Sequence, residues 1–103
     1  MKPINNGEYG LTLYFDLEED VSANTTHEVI LKDPCGVESI KTATLGDETL
    51  TGTDIGTLTV NEYVKYTLAE GDIDSFGRWM VRAISYDDSI KRKTNWMILS
   101  VKD

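Results

Sequence analysis

The chain has 103 residues, and its 10 Lys and Arg residues against 18 Asp and Glu give a formal net charge of −8. This length suits one domain with one hydrophobic core, so we expect residues 1–103 to form a single domain. The negative charge repels phosphate backbones and anionic lipids, which argues against nucleic acid and membranes as partners. The polar start and the absence of a long apolar run predict a soluble protein without a signal peptide or membrane span.

Alternation of apolar and polar residues predicts about seven strands. The first covers residues 9–17 and places Leu11, Leu13, Phe15 and Leu17 on one face. A polar, turn-prone stretch follows before the second strand, and residues 46–56 are rich in Thr, Asp and Gly, as a surface loop would be. The other predicted strands are 27–32, 37–45, 57–60, 63–68, 78–86 and 91–101.

The only cysteine, Cys35, cannot form an internal disulfide, so core packing must stabilise this small domain. It lies in the sequence Asp33-Pro34-Cys35-Gly36 between two predicted strands. Proline suits the second position of a β-turn, and glycine suits the positive φ that often follows. We therefore interpret Cys35 as a turn residue and not as a reactive thiol.

The alternation of residues 62–83 predicts two strands joined by an acidic corner. After the corner, Trp79, Val81 and Ala83 share one face, and Gly77 precedes them. A strand pair with a large aromatic residue in its second member is typical of a small sandwich. We expect an all-β fold, an immunoglobulin-like β-sandwich of about seven strands, with Trp79 as a core anchor.

The predicted closing strand is apolar on both faces. Met97, Leu99 and Val101 lie on one face, whereas Trp96 and Ile98 lie on the other. If the first set fills the core, the second forms an outward patch that either contacts a partner or is covered by a loop or the N-terminal arm. We expect Trp96, Ile98 and Tyr63 to be partner-contact residues.

The sequence contains no recognisable catalytic, cofactor or metal site. The acidic clusters at 16–20, 72–74 and 87–88 lack the spacing of a calcium loop, and we interpret them as solvated turns. His27 is the only histidine, and no nucleophile or zinc motif accompanies it. The glycines between 46 and 56 lack the lysine and the helix of a phosphate-binding loop.

Several stretches together carry a likeness to a known group: residues 10–17, the strand 28–36 with its Pro-x-Gly turn, the corner 66–74, Gly77-Arg78-Trp79, and the apolar strand ending at Val101. In these stretches the chain resembles small immunoglobulin-like structural proteins of tailed bacteriophages, akin to the N-terminal domain of baseplate upper proteins. The resemblance implies a non-enzymatic virion protein of the tail, baseplate or neck, made in the host cytoplasm. It also implies a homo- or hetero-oligomeric assembly with other virion proteins.

Two other functions remain open from the sequence. A carbohydrate- or receptor-binding module would need exposed aromatic side chains in a groove, and Tyr14, Tyr63 and Trp96 are the candidates. A small enzyme is disfavoured because no set of nucleophile, base and metal ligand is evident.

Overall fold

The computed structural model describes residues 3–52 and 56–103. In these ranges the chain forms only strands and turns. The strands are β1 (Ile4–Asn5), β2 (Thr12–Asp16), β3 (Thr26–Lys32), β4 (Glu38–Thr42), β5 (Thr44–Leu45), β6 (Leu50–Gly52), β7 (Gly56–Leu58), β8 (Tyr63–Thr67), β9 (Gly77–Tyr86), β10 (Lys91–Lys93) and β11 (Met97–Lys102). Within the same ranges, no helix has the length and apolar character needed to cross a membrane.

The strands form one large sheet, one small sheet and a hairpin. The large sheet has the order β1-β11-β9-β3-β4, with β10 also paired to β9, and the small sheet has the order β2-β8-β5. The strand β1 runs parallel to β11, whereas the other pairs are antiparallel. These mixed sheets form a half-barrel, which confirms the all-β class. The hairpin consists of β6 and β7.

The core lies between the two sheets and contains the inward residues of both. Trp79 is 3% exposed and is a member of this core, which confirms the prediction that it is buried there. Its indole N–H donates to the carbonyl of Ser75 at 2.9 Å, so the polar atom of this buried ring has a partner. Gly77, which precedes it, has φ of +130° and packs so closely on the Pro34 ring that a Cβ would lie 2.9 Å from it. This position therefore requires a residue that tolerates a positive φ and has no Cβ, and glycine is that residue.

The predicted strand 37–45 is divided between the two sheets. Its first part, β4, pairs with β3 in the large sheet, and its second part, β5, pairs with β8 in the small sheet. Between them, Ala43 is buried in the core and donates its N–H to the carbonyl of His27 at 2.9 Å. The chain thus crosses from one sheet to the other at Ala43.

The predicted surface loop 46–56 is partly regular. It contains β6 and the first residue of β7, and residues 53–55 lie outside the described ranges. The predicted strand 57–60 ends early, since β7 stops at Leu58 and Asn61 adopts a φ of 67°. Asparagine tolerates this left-handed conformation, so the chain can bend here before β8 begins.

The predicted turn after β3 is confirmed. Gly36 has a φ of 93° and donates its N–H to the carbonyl of Asp33 at 2.9 Å. The Asp33 carboxylate also accepts hydrogen bonds from the N–H groups of Cys35 and Val37, both at 2.9 Å. The Cys35 side chain is exposed at the tip of this turn.

The predicted closing strand 91–101 is interrupted by a β-bulge. Lys93 lies opposite Ile84 on β9, and Met97 lies opposite Val81. Four steps along the closing strand therefore match three steps along β9, which leaves one extra residue between β10 and β11. The extra residue reverses the alternation, so odd-numbered residues of β10 and even-numbered residues of β11 share a face of the sheet.

Candidate interaction surface

One face of the large sheet packs on the core, and the other, which we call the large-sheet outer face, turns away from it. Cross-strand partners share a face, so the pairings define two neighbouring rows across this surface. One row contains Ile40, Ile30 and Arg82, and the next contains Glu38, Lys32, Met80 and Ile98. Ile30 is only 9% exposed yet is absent from the core cluster, as expected for a residue shielded by neighbours on the outer side.

The side chain of Trp96 lies on this outer face beneath two cations. The guanidinium carbon of Arg82 is 4.7 Å from the centre of the indole ring, and the Lys32 ammonium is 5.6 Å from it. Both distances fall within the range of cation–π attraction. Arg82 also donates two hydrogen bonds to the carbonyl of Thr94, at 3.0 and 3.3 Å, which hold the guanidinium above the ring. Trp96 is half-buried, and the side chains of Arg82 and Lys32 cover part of its ring.

The predicted alternation in the closing strand is confirmed. Leu99 and Val101 are buried in the core, and Met97 packs against it. On the other side, Ile98 is 49% exposed, and Ile40 across the sheet is 63% exposed. From Pro3 onward, the described part of the N-terminal arm does not cover them, because β1 extends the sheet edge by pairing with Val101 and Lys102. That Trp96 and Ile98 contact a partner remains a prediction.

Tyr63, the third residue that we expected at a contact surface, is buried, and this expectation is corrected. The ring lies on the outer side of the small sheet but has no exposed surface. Gly46 covers it so closely that a Cβ on Gly46 would overlap the ring. The Tyr63 hydroxyl donates to the carbonyl of Glu48 at 2.8 Å, and burial raises the pKa of this phenol. The segment that contains Gly46 and Glu48 thus packs over the small sheet and occupies the space that a partner would need.

The three aromatic residues considered for carbohydrate binding do not form one groove. Tyr14 lies beside Tyr63 on the small sheet, with ring centres 6.2 Å apart. Trp96 lies on the outer face of the opposite sheet, where its neighbours are Arg82 and Lys32. The two outer faces point away from each other, so one saccharide cannot contact all three rings.

His27 belongs to a buried polar cluster at one end of the large sheet. Its Nδ1 atom is 2.9 Å from Oγ of Ser85, which also accepts a hydrogen bond from the Asn24 amide at 2.9 Å. A serine beside a histidine is also the start of a nucleophilic site, but Ser85 has no exposed surface through which it could reach a substrate. Burial lowers the pKa of His27, which favours the neutral ring. The cluster satisfies buried polar atoms.

The acidic corner contains one carboxylate that is structural. We interpreted the cluster at 72–74 as a solvated turn, but the Asp72 side chain is only 6% exposed. It accepts hydrogen bonds from the Tyr66 hydroxyl and from the Ala69 N–H at 2.8 Å, and the Lys41 ammonium lies 3.3 Å away. Burial alone would raise the pKa of Asp72, but these donors outweigh it and lower the pKa. Burial and the bond to Asp72 raise the pKa of Tyr66 to about 12.

The other acidic turns use their carboxylates locally. Asp20 accepts from both the N–H and the hydroxyl of Ser22, and these bonds lower its pKa. Asp87 accepts from the N–H groups of Ser89 and Ile90, which lower its pKa in the same way. Across the described residues, no group of three or more His, Cys, Asp or Glu side chains is arranged to hold a metal ion.

The sequence signals for these contacts differ in strength. Alternation in the closing strand predicts the outward position of Trp96 and Ile98, whereas the ion pair of Asp72 with Lys41 joins residues that are distant in sequence. Comparisons with protein-family models, with curated protein sequences and with solved structures gave no match. The large-sheet outer face is therefore the feature of the fold that carries a functional argument.

Proposed function

We propose that this chain is a non-enzymatic structural protein of the virion of a tailed bacteriophage, in the tail, baseplate or neck. It acts by packing the large-sheet outer face against other virion proteins in a homo- or hetero-oligomeric assembly. It is made in the host cytoplasm and incorporated into the particle. The phage assignment rests on the sequence resemblance described above, and the contact mechanism rests on the surface.

The strand order supports an immunoglobulin-like sandwich as the fold of this protein. In such sandwiches the second, fifth and fourth strands (B, E and D) lie in one sheet, and the seventh, sixth and third (G, F and C) lie in the other. Here β2-β8-β5 matches the first set, and β11-β9-β3 matches the second. The edge strand β4 corresponds to the additional strand of variable-type domains. The short β6–β7 hairpin has no equivalent in this scheme.

The observation that carries the contact mechanism is the open apolar surface around Trp96. Ile98 and Ile40 are exposed, Met80 and Trp96 are half-buried, and the Trp96 ring contacts the side chains of Arg82 and Lys32. Tryptophan, methionine and arginine are the residue types enriched in protein interfaces. Among the described residues, the strand β4, which bears Ile40, pairs only with β3, so its other edge has no strand partner there and can accept one.

The double variant Trp96→Ser/Ile98→Ser tests this proposal. Because both side chains lie outside the core, the isolated variant should stay folded and lose only about 1 kcal/mol of stability, chiefly through the lost cation–π contacts of Trp96. Incorporation into particles, measured by quantitative mass spectrometry of purified virions, should fall strongly. Phe76→Ser/Ile90→Ser is the matched control, because these residues are 59% and 51% exposed and lie outside the rows described above.

Two results would contradict the proposal separately. If the wild-type protein is absent from purified particles, the virion role is wrong. If the wild-type protein is present and Trp96→Ser/Ile98→Ser enters particles as well as the control, the role stands but the contact surface is wrong.

A further inference from the structure

The charge on the large-sheet outer face is opposite to the charge of the chain. Pairing and alternation place six cations on this face: Lys32, Arg78, Arg82, Lys91, Lys93 and Lys102. The anions that the same strands place there are Glu28 and Glu38. This face therefore has a surplus of four positive charges in a chain whose net charge is −8.

We infer that the large-sheet outer face binds an acidic protein surface, one whose carboxylates surround an apolar centre. The inference rests on the proposed function in one respect, that this face is the contact surface. It adds the chemistry of the partner, which the resemblance does not provide. Opposite charge on the partner would complement the cations, and apolar groups would bury Ile98 and Ile40.

The absence of salt bridges to these six cations among the described residues supports this inference. Lys41, Lys65 and Arg92 point to other surfaces, and each forms a salt bridge, with Asp72, Asp47 and Glu19 respectively. Within residues 3–52 and 56–103, none of the six cations on the large-sheet outer face has an acidic side chain within 4.0 Å. In a chain with 18 acidic residues, this contrast leaves the charge of one face uncompensated.

The arrangement of these charges favours a protein over a nucleic acid as partner. Arg78 lies one row beyond Ile98 and Met80, and Lys93 and Lys91 lie beyond Arg82 in the other direction. The cations thus flank an apolar centre, as a polar rim flanks the core of a protein interface.

The β-bulge between β10 and β11 creates part of this surface. If the strand alternated without a break from Met97 back to Lys91, Lys91 and Lys93 would lie on the core face with Met97 and Leu99. The bulge turns both lysines outward, and the Lys91 ammonium lies 5.8 Å from the centre of the Tyr86 ring. Bulges often redirect side chains at functional positions, and this one assembles the cationic rim.

A peptide titration followed by ¹H–¹⁵N NMR tests the inference on the full chain. The probes are three short synthetic peptides: one with Glu residues flanking a central Leu-Phe pair, one with Lys in place of Glu, and one with Glu flanking Gly-Ser. Oligodeoxythymidylate is the fourth probe. We expect the acidic apolar peptide to bind most tightly and to shift backbone resonances of β3, β9 and β11. Binding should weaken as salt rises from about 50 to about 200 mM.

Charge reversal provides the matched variants. Arg78→Glu/Lys93→Glu changes two exposed cations of this face and should weaken binding of the acidic peptide about tenfold. Lys65→Glu/Arg92→Glu changes the net charge equally but affects other surfaces, so it should retain binding. Circular dichroism and thermal unfolding establish that both variants are folded.

Each outcome either supports or overturns the inference. Equal or tighter binding of the basic peptide, or equal loss in the two charge-reversal variants, overturns it. Tighter binding of oligodeoxythymidylate shows that the face recognises a polyanion and not a protein. If these results occur while Trp96→Ser/Ile98→Ser still abolishes incorporation, the contact surface stands and only the acidic chemistry of the partner is wrong.

Discussion

Tyr63 and Trp96 are both aromatic residues on outer sheet faces, but their surroundings differ. Tyr63 is covered by backbone, since Gly46 lies on its ring and the Glu48 carbonyl accepts a hydrogen bond from its hydroxyl. Trp96 is covered by the side chains of Arg82 and Lys32, which can move aside without any change in the backbone. Alternation identifies the face on which each ring lies. Alternation does not show whether another segment of the chain packs over that face. Such a segment makes Tyr63 part of the folded interior, whereas Trp96 remains available to a partner.

Truncation of the two rings should therefore have unequal effects on stability. Tyr63→Ala removes a fully buried ring and should lower the free energy of unfolding by about 3–5 kcal/mol, as for other large core truncations. Trp96→Ala removes two cation–π contacts and should cost about 1 kcal/mol. Urea denaturation measures the two losses of stability when each variant unfolds with the m-value of the wild type. Equal costs would show that the two faces are equally covered.

The close cover over Tyr63 can be tested from the other side of the contact. Gly46→Ala places a methyl group against the ring and should destabilise the protein by about 1–3 kcal/mol through overpacking. In the double variant Gly46→Ala/Tyr63→Ala the clash is absent, so its cost should be smaller than the sum of the single costs. Additive costs in this cycle would mean that Gly46 does not act through Tyr63.

Tyr66 sharpens the comparison because it lies on the same strand as Tyr63 but on the inner side. Tyr66→Phe removes a hydrogen bond to the Asp72 carboxylate and should cost about 1.5–3 kcal/mol. Since the pKa of Asp72 is lowered, its contribution is complete above about pH 4 and is lost as pH falls through the folded pKa. Stability measured during acid titration should therefore fall less steeply in Asp72→Asn. An equally steep fall would assign the acid sensitivity elsewhere.

His27, on the inner side of the large sheet, gives a second prediction of pH dependence. Its pKa is lowered by burial, so the unfolded chain binds the proton more readily than the folded chain. Stability should be complete above the unfolded pKa of about 6.5 and decrease below it, until the folded pKa is passed. Thermal unfolding between about pH 7.5 and about pH 5.5 measures this change. His27→Gln should remove the dependence in that window, and an unchanged slope would exclude His27 as its source.

The sequence predicted features that follow from a single strand. It did not predict contacts between segments that are far apart in sequence. Alternation predicted that Trp79 is buried and that Ile98 points outward, because period two is a property of any single strand. The bulge before β11 depends on the register with β9, which no local pattern specifies. The burial of Asp72 depends on Lys41 from another strand, and the burial of Tyr63 depends on Gly46. The last of these corrected one of the three expected contact residues.

Charge-sensitive fluorescence quenching tests the central claim, an open and cationic outer face at Trp96, most directly. Trp79 is buried, and Trp96→Phe isolates its emission, so the difference from wild type reports Trp96. Iodide should quench Trp96 more strongly than caesium, although the chain carries −8, because Arg82 and Lys32 attract anions to the ring. The preference should decrease in Arg78→Glu/Lys93→Glu. Stronger quenching by caesium, or no quenching of Trp96 by either ion, would contradict the account.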